Sequence, residues 1–483
     1  MTSHLEEQYQ TSWQERQTFA ENMQPITGQL FRNKGIEISI YGRPLVNASA
    51  IDIIKAHRSV ALHEENKLRL RESFPFLQAL AKMELAPARI DVGKLAYRYL
   101  FKGEANGLSI EQFLEKELAT IVAKGNDVQE TKDVVLYGFG RIGRLLARLL
   151  IERAGPNAKL NLRAIVIRPG KEDDLEKRAS LLRRDSVHGA FNGSITIDKE
   201  NNVIKANGAF IKIIYAKSPS EIDYTAYGIN DALVVDNTGI WSDEEGLGQH
   251  LQSKGVAKVL LTAPAKGDIK NIVFGVNDDM ILADDKIISA ASCTTNAITP
   301  VLKALNDEFG IRNGHVETVH SYTNDQNLID NYHPAPRRGR SAPLNMVIST
   351  TGAAKAVAKA LPELKGLLTG NAIRVPTPNV SMAIMNLNLK KETDKAALND
   401  YLRKISLNSK LQNQVDYTAS TEIVSTDLVG SRYAGVVDSQ ATIVDGDRAV
   451  LYVWYDNEFG YSCQVVRVML AMADINVPTL PVN

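Results

Sequence analysis

The stretch that decides the fold is KDVVLYGFGRIGRLLARLLIER, residues 132–153. An apolar run at 134–137 leads into GFGRIG at 138–143, and a helical pattern follows at once. Gly138 would permit the tight turn, Gly140 would let backbone N–H groups approach a pyrophosphate, and Gly143 would let helix and strand pack closely. The helix N-terminus would then stabilise the phosphate charge. The stretch predicts a Rossmann-type dinucleotide site, the alternative being a purely structural turn.

Further along the chain, β-branched runs alternate with helical patterns. This alternation is typical of βα units and a parallel sheet, and the runs stand at 162–167, 232–236 and 256–263. Longer extended stretches then predict a mixed sheet in a second, α+β domain, at 315–323, 372–389 and 449–457. Helices are expected at Leu302–Glu308, Ala353–Leu361 and Ser462–Ala473. The fold class is therefore α/β with a second domain.

The first 130 residues have a different character. Charged amphipathic segments at Glu64–Ala81 and Ile110–Lys124 indicate a mainly helical extension, and GNDVQETK at 125–132 is a polar stretch suited to a linker. No catalytic motif is found in this part, and its role stays open. The predicted domains are 1–130, a helical extension; 131–292, the NAD(P)-binding domain; 293–456, the catalytic domain; and 457–483, a C-terminal helix that returns to the NAD(P)-binding domain.

The composition excludes several classes of protein. A chain of 483 residues, 44% hydrophobic and 23% charged, can bury its cores without disulfide or metal staples. Fifty-six basic residues balance 56 acidic ones, which disfavours constitutive binding to nucleic acid or to an anionic membrane. No apolar run is long enough to span a bilayer, and the N-terminal residues are polar. We expect a cytoplasmic protein.

The residue after the second predicted strand bears on the cofactor. The dinucleotide fingerprint expects an acidic side chain there to hold the ribose hydroxyls, but this chain has Arg168. An arginine cannot accept those hydrogen bonds, whereas it can pair with a 2′-phosphate or stack on adenine. The sequence therefore favours NADP, or use of both NAD and NADP, and the alternative is an outward-pointing surface arginine.

Two cysteines occur, and their spacing fits neither a zinc site nor a redox pair. Cys293 lies where a small-residue strand end runs into a helix, so the helix dipole should lower its pKa and activate the sulfur. His320 ends an extended run and can stand beside that sulfur as a base, although a structural role is the alternative. Cys463 lies in an apolar helical run and is expected to be a core thiol. No metal site is predicted.

Six ordered motifs carry a family resemblance. They are ASCTTNAITP, HSYTNDQ, RRGRSAPLN, STTGAAKAV, RVPTPNVS and WYDNEFGYS. Residues from about 133 to 473 resemble glyceraldehyde-3-phosphate dehydrogenase over nearly the whole of that family's two-domain chain. The first 130 residues have no counterpart in the usual family member.

The resemblance implies a reaction. Cys293 would attack the aldehyde carbon of glyceraldehyde 3-phosphate, and His320 would take the thiol proton and polarise the hemithioacetal oxygen while hydride leaves for the nicotinamide. The resulting thioester would be cleaved by inorganic phosphate to an acyl phosphate, in a site that excludes water.

The resemblance also implies the binding residues. The site for the substrate C3 phosphate would be Thr323, Asp325 and Arg374, where Asp325 replaces the threonine of many relatives and is discounted as a direct phosphate contact. The site for the attacking phosphate would be Ser292, Thr294, Arg338, Thr351 and Gly352. The cofactor would be held by Gly138, Phe139, Gly140, Arg141, Ile142, Gly143, Thr238, Gly239 and Thr262, with Asn457 on the carboxamide and Tyr461 nearby.

The resemblance further implies a homotetramer, because PRRGRS at 336–341 belongs to a loop that reaches the neighbouring subunit's cofactor pocket. Without the family, that run is typical of a solvated basic loop. The extension at 1–130 would pack on the tetramer or recruit a protein partner.

Other functions stay open. Erythrose-4-phosphate dehydrogenase shares the cysteine, the histidine and the nucleotide loop, but the Thr351–Gly352 pair favours the triose enzyme. A cofactor-binding regulatory protein is opposed by the intact Cys293, His320 and Asn457. A cysteine hydrolase without redox chemistry conflicts with GFGRIG in its strand-to-helix setting.

Overall fold

The computed structural model describes residues 2–122, 131–170 and 173–481. Two units follow from the contacts within the chain. The first comprises Met1–Glu130, Gly155–Ala158 and Asn476–Asn483, and the second comprises Thr131–Ala154 and Lys159–Ile475. The predicted linker at 125–132 lies mostly outside the described residues.

Over its described residues, the first unit combines five α-helices with a small sheet. Its helices are α1 (Thr2–Lys34), α2 (Ala50–Ser59), α3 (Leu70–Lys82), α4 (Val92–Phe101) and α5 (Ile110–Glu117). Its strands are β1 (Glu37–Ile40), β2 (Arg43–Pro44), β3 (Arg89–Asp91) and β22 (Thr479–Leu480), in the order β2-β1-β3-β22. The predicted helical character is therefore accompanied by a sheet that the sequence did not indicate.

Local capping fixes where these helices begin. The predicted helix from Glu64 starts only at Leu70, because the Glu72 carboxylate accepts a hydrogen bond from the Arg69 N–H at 2.6 Å. Ser49 and Asp52 form a capping box that starts α2. Asp91 is buried and accepts hydrogen bonds from Tyr41 N–H and from Lys94 N–H, so one carboxylate ties the β1–β2 turn to the start of α4.

The second unit begins with an eight-stranded sheet. Its strands are β4 (Lys132–Tyr137), β5 (Leu160–Ile167), β8 (Ile195–Asp198), β9 (Val203–Ala206), β10 (Ala209–Tyr215), β11 (Ala232–Asp236), β12 (Val256–Leu261) and β13 (Ile287–Ser289). A two-stranded ribbon, β6 (Arg184–Asp185) and β7 (Gly189–Ala190), lies apart from it. Helices α6 (Arg141–Glu152), α7 (Asp174–Arg183) and α8 (Glu244–Gly248) belong to this half.

The strand order of this sheet is β13-β12-β11-β4-β5-β10-β9-β8. The first six of these strands are parallel to one another, and the last two pair antiparallel. β11 is buried along its whole length, as expected for a parallel strand covered on both faces. The chain leaves β4 toward one side and later returns to β11 on the other, which is the topological switch point of a Rossmann sheet.

A second mixed sheet completes this unit, in the order β15-β16-β14-β17-β21-β19-β18 with β20 paired to β21. Its strands are β14 (Ile311–Ser321), β15 (Val347–Ser349), β16 (Leu368–Val375), β17 (Ser381–Leu389), β18 (Val415–Thr418), β19 (Gly435–Asp438), β20 (Ile443–Asp445) and β21 (Arg448–Tyr455). The accompanying helices are α9 (Cys293–Glu308), α10 (Ala353–Ala360), α11 (Lys395–Asn408) and α12 (Phe459–Met472). The α/β class with a second, α+β part is thus the observed fold.

Three predicted boundaries change. The extended stretch 372–389 forms two strands, because Pro376 and Pro378 cannot donate to a ladder. The helix from Ile110 ends at Glu117. The segment 457–483 does not end with its helix, since residues 478–480 join the sheet of the first unit. The domain limits at 292/293 and 456/457 lie inside the second unit and stay predictions.

None of the helices within the described ranges is long and apolar enough to cross a membrane.

Candidate active site

The glycine-rich turn after β4 has a geometry that explains each glycine. Gly138 has φ +97°, which favours glycine. A Cβ on Gly143 would lie 2.4 Å from the Gly138 carbonyl oxygen, so helix and strand could not pack with any larger residue. A Cβ on Gly140 would meet nothing within 4 Å. Gly140 therefore leaves open space at the N-terminus of α6, as a pyrophosphate would need.

Arg141 and the two apolar residues of the turn have other surroundings. The Arg141 guanidinium is ion-paired with Asp185 and Glu458. Arg141 can therefore bind an anion through its backbone N–H, which lies at the first position of α6. Phe139 is buried and Ile142 is half-buried. The predicted pyrophosphate loop therefore offers backbone donors rather than the arginine side chain.

Across the switch point, Thr238 and Gly239 follow β11. Asp236, at the end of that strand, accepts hydrogen bonds from the Thr238 N–H at 2.8 Å and from the Thr238 hydroxyl at 2.7 Å. The Thr262 hydroxyl lies 3.0 Å from the Asp236 carbonyl oxygen. A Cβ on Gly239, whose φ is +69°, would again meet nothing within 4 Å. These residues line the same edge of the sheet as Gly140, and they fit a dinucleotide.

Arg168 directly follows β5 and is exposed. Nearby, a cavity of about 440 Å³ is lined by residues that include Asp173, Asp174 and Glu176. Carboxylates are the groups that hold ribose hydroxyls, and they repel a 2′-phosphate. Three carboxylates and Lys199 line this cavity, with Glu176 paired to Lys199 and Asp174 paired to Arg178. The prediction from Arg168 alone did not foresee these acidic side chains.

Cys293 is the first residue of α9. Ser292 caps that helix, because its hydroxyl accepts a hydrogen bond from the Thr295 N–H at 3.1 Å. The first-turn N–H groups of a helix have no carbonyl partner within it. Cys293 is half-buried, whereas Cys463 is buried in α12. The prediction of a helix N-terminal thiol is confirmed in position.

His320 lies beside that thiol. Its Nε2 is 3.6 Å from the Cys293 Sγ. Its Nδ1 lies 2.7 Å from the Ser321 carbonyl oxygen, and the tautomer in which Nδ1–H donates to that carbonyl is the one that leaves Nε2 able to accept a proton. The histidine is buried near the end of β14. The two residues that the sequence could only place in order along the chain are therefore in contact.

The protonation of this pair differs from the sequence-based expectation. Burial raises the pKa of Cys293, although the Arg374 guanidinium and the Thr294 hydrogen bond oppose that rise. Burial, followed by the charge of Arg374, lowers the pKa of His320 to about 3. The expected lowering of the thiol pKa by the helix dipole was wrong in direction, because desolvation is larger than the dipole effect. Both groups are neutral at neutral pH.

Arg374 is adjacent to this pair across the sheet. Strands β14 and β16 are parallel, and His320 is in register with Arg374. The Arg374 Nη1 donates to the Ser321 carbonyl at 3.2 Å and lies 2.8 Å from His320 Nδ1, to which it can donate only when the ring proton is on Nε2. Its buried Nε has no hydrogen-bond partner among the described residues. A buried guanidinium donor without a partner fits an anionic substrate group.

Thr351 and Gly352 precede α10, and Gly352 is the N-cap. The Thr351 hydroxyl accepts a hydrogen bond from the Ala353 N–H at 3.2 Å. A Cβ on Gly352 would meet nothing within 4 Å, so the helix N-terminus is open there. This is an arrangement that suits a tetrahedral oxyanion.

The remaining predicted phosphate residues are partly engaged with one another. Asp325 is ion-paired with Arg338 and lies 3.7 Å from His333 Nε2. The Thr323 carbonyl accepts a hydrogen bond from the Gln326 N–H. Asp325 therefore holds Arg338, one of the residues assigned to the attacking phosphate.

Asn457 and Tyr461 occupy the start of the last helix region. The Ser381 hydroxyl donates to Asn457 Oδ1 at 2.9 Å, which leaves the Asn457 amide group able to donate elsewhere. The Tyr461 hydroxyl donates to the Ala291 carbonyl at 2.9 Å, two residues before Cys293. Both side chains are buried. Ser381 was not identified from the sequence, since serine at a strand start has no distinguishing pattern.

A buried tyrosine was also missed. The Tyr455 hydroxyl forms hydrogen bonds with Thr294 at 3.0 Å and with Thr318 at 2.6 Å. Its ring meets His320 edge to face at 6.0 Å. The Thr294 hydroxyl assigned to the attacking phosphate is thus bound to Tyr455. A tyrosine two residues before Asn457 in the WYDN motif was the available signal.

The His188 side chain, which is 5% accessible, joins the two halves of this unit. His188 Nε2 lies 3.1 Å from Asp456 Oδ2, and Asp456 also accepts from the Phe459 N–H. Burial would raise the pKa of Asp185, but the N–H groups of His188 and Val187 and the Arg141 guanidinium lower it to about 2. This network orients the start of α12, beside Asn457, and nothing in the sequence pattern indicated it.

No group of three or more His, Cys, Asp or Glu side chains in the described part of the chain is arranged to hold a metal ion.

Two family profiles match the chain. The profile described as the NAD binding domain of glyceraldehyde 3-phosphate dehydrogenase covers residues 132–244. The profile described as the C-terminal domain of the same enzyme covers residues 292–457. Together they span the turn at Gly138, the Cys293–His320 pair and Asn457.

Curated proteins are similar over the same region or more. A "Glyceraldehyde-3-phosphate dehydrogenase-like protein" of Pseudomonas aeruginosa is 63% identical over 462 residues, 95% of this chain and all of that protein. The glyceraldehyde-3-phosphate dehydrogenase of Zymomonas mobilis is 39% identical over 70% of this chain and 98% of its own. The chloroplastic A form of Zea mays is 42% identical over 69% of this chain and 80% of its own. Most of the N-terminal extension is therefore shared with the Pseudomonas protein.

Proposed function

The chain belongs to the glyceraldehyde-3-phosphate dehydrogenase family of NAD-dependent oxidoreductases, and we propose that it is a phosphorylating member. It would oxidise glyceraldehyde 3-phosphate with NAD or NADP and inorganic phosphate, reversibly, to 1,3-bisphosphoglycerate. The observation that carries this proposal is the 3.6 Å contact between Cys293 Sγ and His320 Nε2, at a helix N-terminus and beside Arg374.

The first step uses the neutral pair. The Cys293 sulfur adds to the aldehyde carbon, and His320 Nε2 takes the thiol proton as the S–C bond forms. The low pKa of His320 keeps its imidazole able to accept that proton at neutral pH. His320 returns the proton to the former carbonyl oxygen, and the first-turn N–H groups of α9 stabilise the charge that develops there. The product of this step is a hemithioacetal.

Oxidation then requires loss of two electrons from the hemithioacetal carbon. When bound, the nicotinamide supplies the acceptor for the hydride. His320 removes the hydroxyl proton, so that the carbon becomes the carbonyl of a thioester. Asn457, oriented by Ser381, would hold the carboxamide of the cofactor, and the open space at Gly140 and Gly239 would receive its phosphates and ribose.

Phosphorolysis completes the cycle. A phosphate oxygen attacks the thioester carbonyl, the C–S bond breaks, and the Cys293 sulfur regains its proton from His320. Thr351 and Gly352 at the N-terminus of α10 are suited to hold that phosphate. Arg374, with its unpartnered buried Nε, is suited to the C3 phosphate of the substrate. Separate donors for two phosphate groups support phosphorolysis over hydrolysis.

Cofactor choice follows from the end of β5. Arg168 can pair with a 2′-phosphate, and the Asp173 carboxylate, beside the ion-paired Asp174 and Glu176, can accept ribose hydrogen bonds. We therefore propose that the enzyme uses both NAD and NADP. In Arg168→Ala, kcat/KM for NADP should fall about 10- to 100-fold, since a charged hydrogen bond contributes about 1.5–3 kcal/mol, while kcat/KM for NAD changes little.

We also propose a homotetramer. The loop between β14 and β15 exposes large apolar side chains, with Leu328 73%, Tyr332 86% and Leu344 81% accessible. Exposed apolar side chains concentrated in one loop mark an interaction surface. This loop contains PRRGRS, so the apolar surface and the family expectation coincide.

The test is a set of initial rates with glyceraldehyde 3-phosphate, with and without inorganic phosphate, using NAD and NADP at equal concentrations. Turnover should require phosphate and should fall by roughly 10³-fold or more in Cys293→Ser. Cys463→Ser is the matched control and should keep its rate, because Cys463 is in the core of α12.

Other outcomes would redirect the proposal. Equal or faster oxidation of erythrose 4-phosphate would favour erythrose-4-phosphate dehydrogenase. Phosphate-independent turnover would indicate hydrolysis of the thioester. Cofactor binding without Cys293-dependent turnover would favour a regulatory protein that acts through its N-terminal extension.

A further inference from the structure

The first unit contains a cavity of about 800 Å³ that the proposed reaction does not use. Three segments line it: one face of α1, the end of α2, and residues 67–71 at the start of α3. Its volume is within the range of small-molecule sites, about 300–1,000 Å³. All of its lining residues belong to this unit.

The lining is strongly basic. Its cationic side chains are Arg16, Arg58, Lys67, Arg69 and Arg71, and its single carboxylate is Glu15. Five positive charges and one negative charge give a formal charge of +4, in a chain whose total is zero. Because the whole chain has no net charge, this positive excess is a local property of the cavity.

Most of these cations are not neutralised. Arg71 pairs with Glu15 at 3.4 Å, with both side chains about half exposed. Within the described residues, Arg58, Lys67 and Arg69 form no side-chain ion pair. Like charges that converge on one cavity repel one another, and an anion in the cavity would relieve that repulsion.

One guanidinium is held at the rim by aromatic rings. Arg16 lies 5.2 Å from the Trp13 ring and 5.8 Å from the Tyr9 ring, and its Nε donates to the Ser12 carbonyl at 3.0 Å. Cation–π contacts of this kind fix the plane of a guanidinium. Two of its nitrogen atoms, Nη1 and Nη2, remain for a ligand.

Part of the cavity lining is apolar and buried. Ile54, Leu68 and Leu70 are buried. His57 is also buried, lying 2.8 Å from the Ile53 carbonyl oxygen through Nδ1 and 2.7 Å from the Ser73 hydroxyl through Nε2. The contact between His57, which lines the cavity, and Ser73 joins α2 to α3. Tying these two helices together holds the segments that carry the cations and reduces the cost of ordering them on binding.

From these features we propose that the cavity binds a small organic anion carrying at least two phosphate groups. Arginine suits this role, because its planar fork of donors matches phosphate oxygens in a bidentate manner. The charge excess of four corresponds to two phosphate groups, each of which carries up to two negative charges. A nucleoside diphosphate and a sugar bisphosphate share this chemistry. The site is independent of the proposed dehydrogenase reaction.

Binding is tested by titration calorimetry on the full chain, with NAD at saturation so that the dinucleotide site is filled. The probes are pyrophosphate, ADP and a hexose bisphosphate. We expect binding of at least one probe with a Kd at or below about 100 µM, an affinity that weakens as salt is added. In Arg58→Gln/Arg69→Gln that affinity should fall at least tenfold.

The control variant is Arg43→Gln/Lys55→Gln, which removes two exposed cations of the same unit that do not line the cavity. It should bind like the native chain. Turnover of glyceraldehyde 3-phosphate should be unchanged in both double variants, which separates this site from the catalytic one. Tighter binding of ADP than of pyrophosphate would assign the ligand as a nucleotide, and tighter binding of the hexose bisphosphate would assign it as a sugar phosphate.

Three results would overturn the proposal. One is the absence of binding by every probe. The second is unchanged affinity in Arg58→Gln/Arg69→Gln. The third is a single-stranded RNA oligonucleotide that binds more tightly than all three probes and loses affinity in that variant, since the basic surface would then serve nucleic acid.

Discussion

The Cys293 thiol and the His320 imidazole meet as two neutral groups, and this determines how the nucleophile is activated. A thiolate–imidazolium pair would require a thiol pKa below that of the histidine. Here burial raises the pKa of Cys293 and lowers the pKa of His320, which is the reverse of what an ion pair needs. Proton transfer must therefore accompany attack on the aldehyde.

Alkylation by iodoacetamide reports this state, because only the thiolate reacts. The rate of Cys293 alkylation should rise about tenfold per pH unit and should level off only above the ordinary thiol pKa of about 8.5. Neither group should titrate near pH 6, because the pKa of His320 is about 3. The rate is measured by mass spectrometry of the peptide that contains Cys293.

His320→Gln provides the companion measurement. Its kcat/KM should fall about 10²–10⁴-fold, the usual contribution of a general base, while the alkylation midpoint of Cys293 stays alkaline. The opposite result would be a native alkylation midpoint near pH 6 that disappears in His320→Gln. It would show that Cys293 and His320 form a thiolate–imidazolium pair before substrate binds.

The sequence predicts the parts of the site that local geometry controls. Gly138, Gly140 and Gly143 are fixed by one turn, so their separate roles follow from their spacing. The pairing of Cys293 with His320 depends on how α9 and β14 pack, and order along the chain could not show the contact. The partners of Tyr455 and of Asp456 come from distant segments, so no local pattern announces them.

At the scale of elements, β22 is the unexpected piece. Thr479 and Leu480 pair in parallel with Arg89 and Ile90 of β3, and the Arg89 N–H donates to the Pro478 carbonyl at 2.8 Å. Leu480 is buried. A strand of two residues thus covers an edge of β3 that would otherwise be open.

Leu480→Ala should destabilise the first unit by about 2–3 kcal/mol, because a buried leucine loses apolar contact and leaves a cavity. Hydrogen exchange at Arg89–Asp91 should accelerate, and turnover at Cys293 should be retained. Asn476→Ala is the control, since Asn476 is exposed. Unchanged exchange in Leu480→Ala would show that β22 contributes no stability to the sheet.

The longer elements were more readily predicted than the short ones. Strands β4, β5, β11 and β12 extend over five to eight residues with a clear apolar pattern. Strands β1, β2, β3 and β22 extend over two to four residues, too few for a period to be recognised. The small sheet of the first unit was missed for this reason.

At the scale of the whole molecule, the apolar loop between β14 and β15 makes assembly measurable. Tyr332→Asp/Leu344→Asp should reduce the native mass from four chains to fewer, because charge on an apolar interface opposes its burial. Light scattering after gel filtration reads the mass. Phe210→Asp is the control, an exposed apolar side chain in the strand β10, far from the loop in sequence. A native chain that is already monomeric would contradict the proposed tetramer.

Fold class and family were both predictable at this scale, because the motifs that carry them span Asp133–Ala473. The structure of the N-terminal extension was not predictable in the same way. Its similarity to a relative is visible only by comparison, and its cavity forms where three segments meet in space. Charge counts over the whole chain concealed that cavity, as its excess of four is cancelled elsewhere.

The position of β22 also bears on how the protein is made. Most of the first unit precedes the second unit in the chain, yet the strand β22 that pairs with β3 follows the second unit. While the second unit is being translated, the edge of β3 that later pairs with β22 has no partner strand. A nascent chain truncated by a premature stop would never close that sheet, and the exposed edge would mark it for proteolysis or for chaperone binding.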